Sequence, residues 1–230
     1  MAHGKMGMAA GPFAILFSMA ETTSLPLFLG SVVAISMTGV MMPGPTTAVT
    51  ITNGIRHKEA GALVALGHGI IEVPLMVLIY FGFAHYFELD SVKIGVGLAG
   101  GAVLLWMALN IFKTRPLSLD SALKYPGQGP LAGGIVTTVT NPYFYVWWAT
   151  IGAALLVDAH DHGKSGLVAM GAIHWLCDAA WLLLLSWVVF KSKRLWTPRV
   201  YQVVFGLCSL VLAGFGAWFI ASAVDLAATG

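Results

Sequence analysis

Six long apolar runs, each bounded by charged or turn-forming residues, divide the chain at roughly 24–52, 60–87, 94–112, 131–157, 165–190 and 200–223. A transmembrane helix needs about 20 mostly apolar residues, so each run predicts one span. The set predicts an all-α integral membrane protein with six transmembrane helices. An even number of spans puts both termini on one side. Arg56 and Lys58 follow the first run, Lys113, Arg115 and Lys124 the third, and Lys191, Lys193, Arg194 and Arg199 the fifth. Nine of the twelve basic residues thus share one face. Lys5, Lys93 and Lys164 fall on the other, with Glu88, Asp90, Asp158 and Asp161. The positive-inside rule then places both termini outside the cytoplasm.

Residues 1–23 stand apart from the six-helix domain expected over 24–230. Lys5, the apolar stretch from Gly7 to Phe17 and the small-residue step Ser18-Met19-Ala20 imitate a secretory leader. We expect a retained helix at the membrane interface; the alternative is a cleaved leader with the mature chain starting near Glu21.

Composition narrows the function. Hydrophobic residues make up 58% of the chain and charged residues 10%, where soluble domains carry about 25% charged. Mean hydropathy is +0.83. So few charges cannot coat a globular surface, and the lipid bilayer is the expected surroundings. The net charge of +2 is spread over loops with no basic helical face, which argues against nucleic acid as a partner. Cys177 and Cys208 each sit alone in an apolar run, without metal-ligand or redox spacing. No glycine-rich phosphate loop or serine nucleophile elbow is present, so neither a cofactor nor an enzyme activity is expected.

Sliding the second half back by 106 residues superposes His68 on His174, Glu72 on Asp178, Gly100 on Gly206 and Leu104 on Leu210. Glycine and leucine are common in apolar helices, but paired histidines and acids are rare there, so the acid pair carries the match. With three helices per half, about 24–113 and 131–223, the second half crosses the bilayer in the opposite sense. That is the inverted repeat of many secondary transporters, whose sites lie at the repeat interface.

Glu72 and Asp178 are the two acids well inside predicted spans. Each lies roughly 15–20 Å along its helix, near the bilayer midplane. A charge there costs at least about 2.5–3.5 kcal/mol, so each acid is expected to be neutral, paired or turned to a wet cavity. Proton or cation exchange is one use of such groups; holding helices together is another. His68 and His174 precede the acids by four residues and share their helix faces. Brought together, the four side chains would suit a divalent transition metal; kept apart, each histidine would be satisfied by its own acid. His160 and His162, beside Asp158 and Asp161, read as a solvated external loop.

Two helix breaks complete the pattern. Pro43-Gly44-Pro45 interrupts the first span and Asn141-Pro142 the fourth, because proline removes a backbone donor and clashes with the preceding turn. Unwound backbone in a membrane is tolerated where it lines a cavity or is buried in protein. Thr46 and Thr47 are placed to cap the half-helix that follows, whose positive end would attract a carboxylate. A simple packing kink is the alternative. Trp147, Trp148, Trp175, Trp181 and Trp187 read as packing or interfacial anchors. Gly97 and Gly101 predict a close helix contact, within the chain or in a homo-oligomer.

From Gly39 to Ala221 the chain resembles the LysE/RhtB-type amino-acid exporters. The resemblance rests on Met42-Pro43-Gly44-Pro45-Thr46, Asn53-Gly54-Ile55-Arg56-His57 with Ala60-Gly61-Ala62, and Gly100 to Trp106 with Asn110-Ile111-Phe112-Lys113. It continues through Thr140-Asn141-Pro142, Asp178 and Phe205-Gly206-Leu207. It implies a prokaryotic cytoplasmic-membrane protein that exports amino acids or related small metabolites, driven by an ion gradient. By this resemblance the two breaks and Asp178 match the family's characteristic positions. Tyr143 stands where the family usually has lysine, and the His68–Glu72 pairing is unlike the usual member. Related branches of the superfamily resemble inorganic-ion carriers, so a divalent-metal transporter using His68, Glu72, His174 and Asp178 remains an alternative. A membrane subunit of a larger complex that no longer transports is another.

Overall fold

The structure is a computed structural model that describes residues 24–83, 89–114 and 128–229. The expected 1–23 segment and the loop charges Glu88, Arg115 and Lys124 lie outside the described residues. Every regular element among the described residues is helical. Helices α1 (Leu25–Val40) and α2 (Pro45–Gly54) are two parts of the first apolar run, bent by 81° where they meet. Helix α3 (Ala60–Leu78) continues into a π-helical turn, Ile79–Phe83, and α4 spans Asp90–Thr114. The fourth run is split into α5 (Pro130–Val139), α6 (Pro142–Trp147), a π-helical turn at Trp148–Gly152, and α7 (Ala153–Asp161). Helix α8 covers Gly163–Lys191 and α9 Pro198–Thr229, with a 3₁₀ turn at Lys193–Leu195 between them.

Four helices, α3, α4, α8 and α9, are long and apolar enough to cross a membrane unbroken, and α1 with α2 forms a fifth if the bent pair is one span. The sequence predicts six. The difference lies in the run 131–157, whose pieces of 10, 6 and 9 helical residues are individually too short to span. Proline explains where they start. Pro45, Pro130 and Pro142 each occupy the first turn of a helix, where the missing N–H costs no intrahelical bond.

The two faces of α3 show how sequence sets the packing. Leu66, Ile70, Val73 and Val77 recur at helical spacing and are exposed, an apolar stripe suited to lipid. The opposite face turns inward with Val64, Ala65, Glu72 and Met76, all buried. That inward face packs on α5 and α8, and α8 in turn packs on α1 and α2. Small residues permit the α3–α5 crossing. A Cβ added at Gly134 would strike the Val64 carbonyl, and one at Gly67 the Leu131 carbonyl, so the two backbones touch.

Helices α4 and α9 form the most extensively packed pair. The predicted close contact at Gly97 and Gly101 is within the chain: a Cβ on Gly101 would lie 2.7 Å from the Gly216 carbonyl oxygen, and one on Gly97 the same distance from the Ala223 methyl. Cys177 and Cys208 are buried free thiols. The 106-residue correspondence is uneven here. Leu104 is fully buried, whereas Leu210 is 69% exposed.

Candidate substrate and ion site

The first break begins where α1 ends, with the Met41 N–H still bonded to the Met37 carbonyl and the Met42 N–H to Gly39. Gly44, in an extended conformation, is the N-cap residue of α2, and Pro45 opens the helix. This corrects the expected capping. With prolines on both sides of Gly44 the cap falls before the threonines, so no side chain caps α2. The Thr46 hydroxyl instead donates to Thr137 Oγ1 at 3.2 Å and the Thr47 hydroxyl to the Met42 carbonyl at 3.1 Å. At the second break Asn141 does cap α6, its Oδ1 accepting from the Tyr143 N–H at 3.2 Å. Pro142 packs toward α4, where it would meet a Cβ on Gly100.

The inward faces of α3 and α8 bring His68, Glu72, His174 and Asp178 into one cluster. Glu72 Oε1 lies 3.1 Å from His68 Nε2 and 3.2 Å from His174 Nε2. Asp178 completes it at longer range, with Oδ1 3.9 Å from His68 Nε2 and Oδ2 3.6 Å from His174 Nε2. Each histidine therefore faces the acid of the other helix as well as its own. Glu72 is 1% exposed and Asp178 6%, so lipid and bulk water are both excluded. Glu72 Oε2 and Asp178 Oδ2 are buried without a hydrogen-bond partner, which is costly for carboxylate oxygens in a low-dielectric setting.

Hydroxyls fix the far side of each ring. Thr138 Oγ1 lies 2.7 Å from His68 Nδ1, and Ser36 Oγ 2.8 Å from His174 Nδ1. The Thr138 proton is already directed at the Gly134 carbonyl, 2.7 Å away. A hydroxyl has one proton to give, so Thr138 accepts from His68 Nδ1–H. In the neutral ring that leaves a lone pair on Nε2, facing two carboxyl groups.

Trp148 supplies the third contact to Glu72, its indole N–H donating to Oε1 at 3.2 Å. Trp147 stacks on the His174 ring with centroids 4.9 Å apart. Both tryptophans are buried in the hydrophobic core, as the packing expectation has it, and they also touch the site, Trp147 from the end of α6 and Trp148 from the π-helical turn that follows it. Gly152 makes room for that turn, since a Cβ there would strike the Trp148 ring. Trp175, by contrast, ties α8 to α3 through the Ala65 carbonyl. Trp148→Phe keeps the ring and removes one hydrogen bond to a carboxylate, an effect of about 1.5–3 kcal/mol when the acceptor is charged. The melting temperature of the detergent-purified protein should fall by several degrees, with the variant still folded.

A cavity joins these parts. Its room for water centres is ≈ 100 Å³, where a single water needs about 10–15 Å³. Pro43, Gly44, Pro45, Thr46, Thr47, His68, Glu72, Asn141, His174 and Asp178 all line it, while Pro142 does not. Leu104 of α4 and Val211, Leu212 and Phe215 of α9 form an apolar wall, and Tyr143 and Phe144 also border the space. Ser36 and Thr138, unmarked in the sequence, become legible only once α1 and α5 are placed against the histidines. His160 is exposed at the end of α7, and the His162 ring stacks on Phe28 at 4.9 Å, away from the cluster.

The chain is 26% identical over 184 residues to the chemotactic transduction protein ChpE of Pseudomonas aeruginosa, covering 75% of this chain and 87% of that one. It is 25% identical over 185 residues to the leucine efflux protein of an Enterobacter species, covering 77% and 88%. No solved structure matches significantly. The family profile described as LysE type translocator matches residues 37–223, which include both helix breaks and all four side chains of the cluster. By that match this chain belongs to the LysE type translocator family.

Proposed function

We propose that this protein is a secondary exporter of amino acids or related small metabolites in a prokaryotic cytoplasmic membrane, coupled to an ion gradient. The observation that carries the reading is the shared cavity: one space is bordered by two interrupted helices and by two buried acids. In it, Glu72 and Asp178 exchange a proton or another cation while the substrate occupies the cradle between the breaks. The start of α2 carries no side-chain cap, so its free amides and positive dipole end suit a carboxylate. The acids suit an ammonium group, and the wall of Leu104, Leu212 and Phe215 suits an apolar side chain. The leucine efflux relative fits this reading.

An inverted repeat of six spans, with α1–α4 opposed to α5–α9 and both termini outside, is part of the proposal. It is supported by reciprocity at the site: the hydroxyl behind His68 comes from the second half, and the hydroxyl behind His174 from the first. Alternating access would then be motion of one half against the other about the cluster.

The test is a flux measurement across amino acids. Inside-out vesicles carrying the protein should accumulate labelled leucine or a similar substrate when a gradient is imposed, and should stop when an ionophore collapses it. A folded protein that moves no amino acid under any imposed gradient would reject the reading.

A further inference from the structure

We propose that His68, Glu72, His174 and Asp178 form a binding site for a divalent transition-metal ion, with the imidazole nitrogens and the carboxylate oxygens as ligands. The proposal stands on the geometry of the cluster, whichever solute is exported.

The spacing of the donor atoms is the first observation. A first-row ion bound tetrahedrally at about 2.0–2.2 Å separates its ligand atoms by about 3.3–3.6 Å. The imidazole nitrogens lie 3.1 and 3.2 Å from Glu72 Oε1, 3.6 Å from Asp178 Oδ2 in the case of His174, and 3.9 Å from Asp178 Oδ1 in the case of His68. These distances bracket that edge, and the donor atoms of His68, Glu72 and Asp178 all lie within 4.8 Å of one another. Asp178 separates this arrangement from a plain hydrogen-bond network. Its distances to the two histidines are too long for hydrogen bonds, and its buried Oδ2 has no hydrogen-bond partner. They are close to what two ligands of one ion require.

The surroundings of the ligands are the second. Histidines that bind metals through one nitrogen nearly always anchor the other on a fixed partner. Here Thr138 holds His68 Nδ1 and Ser36 holds His174 Nδ1, so both Nε2 atoms are turned to the carboxylates. Thr138 must accept from Nδ1–H, because its own proton goes to Gly134. The Trp148 indole orients Glu72 in the same way that an outer hydrogen bond orients a ligating carboxylate.

Ligand chemistry selects the ion. Magnesium and calcium take oxygen ligands almost entirely. Two imidazoles with two carboxylates match zinc, cobalt or nickel. The ion would enter from the cavity, where His68 keeps 13% of its side chain exposed.

The experiment uses purified full-length protein, stripped with a chelator and titrated with Zn²⁺ by calorimetry and with Co²⁺ by visible absorption. One ion should bind per chain, and the Co²⁺ complex should show the intense ligand-field bands of a tetrahedral site. Zinc should also raise the melting temperature, since a ligand of the native state alone stabilises it. Thr138→Val should weaken binding by about 10- to 100-fold; Asp178→Asn and His68→Gln should weaken it further. Size-exclusion profiles and melting curves of the metal-free variants check that each is folded. A folded parent that binds no ion at stoichiometric ratio overturns the site, and so does binding that Asp178→Asn and His68→Gln leave unchanged. Leucine flux by metal-free vesicles keeps the two proposals separable: flux without metal binding rejects this site alone, and binding without flux of any amino acid rejects export alone.

Discussion

Asp178→Asn should fold as the parent does and lose gradient-driven export by at least about 100-fold, which corresponds to ~2.8 kcal/mol at ~1.4 kcal/mol per factor of ten. The substitution keeps the shape of the side chain and removes its ability to become an anion. Asp178 accepts no hydrogen bond at Oδ2, and its nearest imidazole nitrogens stand 3.6 and 3.9 Å away. Little structure therefore depends on the charge, and melting temperature should change by only a few degrees. Glu72→Gln should behave alike in flux but not in stability. Its Oε1 accepts from the Trp148 indole and faces both histidines, so an amide there leaves at least one ring nitrogen badly matched. Exchange of labelled for unlabelled substrate separates coupling from binding. If the acids serve coupling, both variants should keep exchange while losing uphill efflux. Uphill efflux at the parent rate in both variants would sink the role assigned to the acids.

Much of this site was legible before any fold was placed, for definite reasons. Charged or imidazole side chains are costly in apolar spans, so His68, Glu72, His174 and Asp178 stood out against their neighbours. Proline breaks helices by covalent geometry, so Pro43 to Pro45 and Asn141-Pro142 marked the interruptions. What stayed hidden depends on which elements meet. Ser36 and Thr138 are ordinary hydroxyls on apolar helices, and bonding to the backbone of the preceding turn is their common use; Thr138 does that and serves His68 as well. Trp148 reads as an anchor, because nothing in its neighbourhood announces the π-helical turn that carries it inward. The threonines after Pro45 were misread for a local reason, since the second proline claims the first helical position and moves the cap to Gly44. Gly206 and Leu210 match Gly100 and Leu104 in the sequence, yet α9 does not present them as α4 does. There the correspondence was composition, whereas at the acid pair it was chemistry.

Gly134→Ala and Gly206→Ala make the same chemical change and should have effects of opposite sign. Both glycines sit inside helices, where alanine is intrinsically better by about 0.5–1 kcal/mol. At Gly206 a Cβ would meet nothing within 4 Å, so that gain should appear as a small rise in melting temperature in detergent. At Gly134 the new methyl would strike the Val64 carbonyl oxygen and stand 3.0 Å from its carbon. Backbone cannot swing aside as a side chain can, so α5 must move off α3, at a cost near the upper end of the 1–3 kcal/mol typical of overpacking. The displacement has a second consequence. Gly134 also accepts the Thr138 hydroxyl, and Thr138 holds His68 at 2.7 Å, so separating the helices slackens the ring that faces both acids. Gly134→Ala should therefore lower the melting temperature and reduce export in the protein that remains folded, while Gly206→Ala should leave export unchanged. Equal stability of the two variants would show that the α3–α5 crossing is looser than the backbone contact requires, and would remove the physical basis for placing Thr138 behind His68.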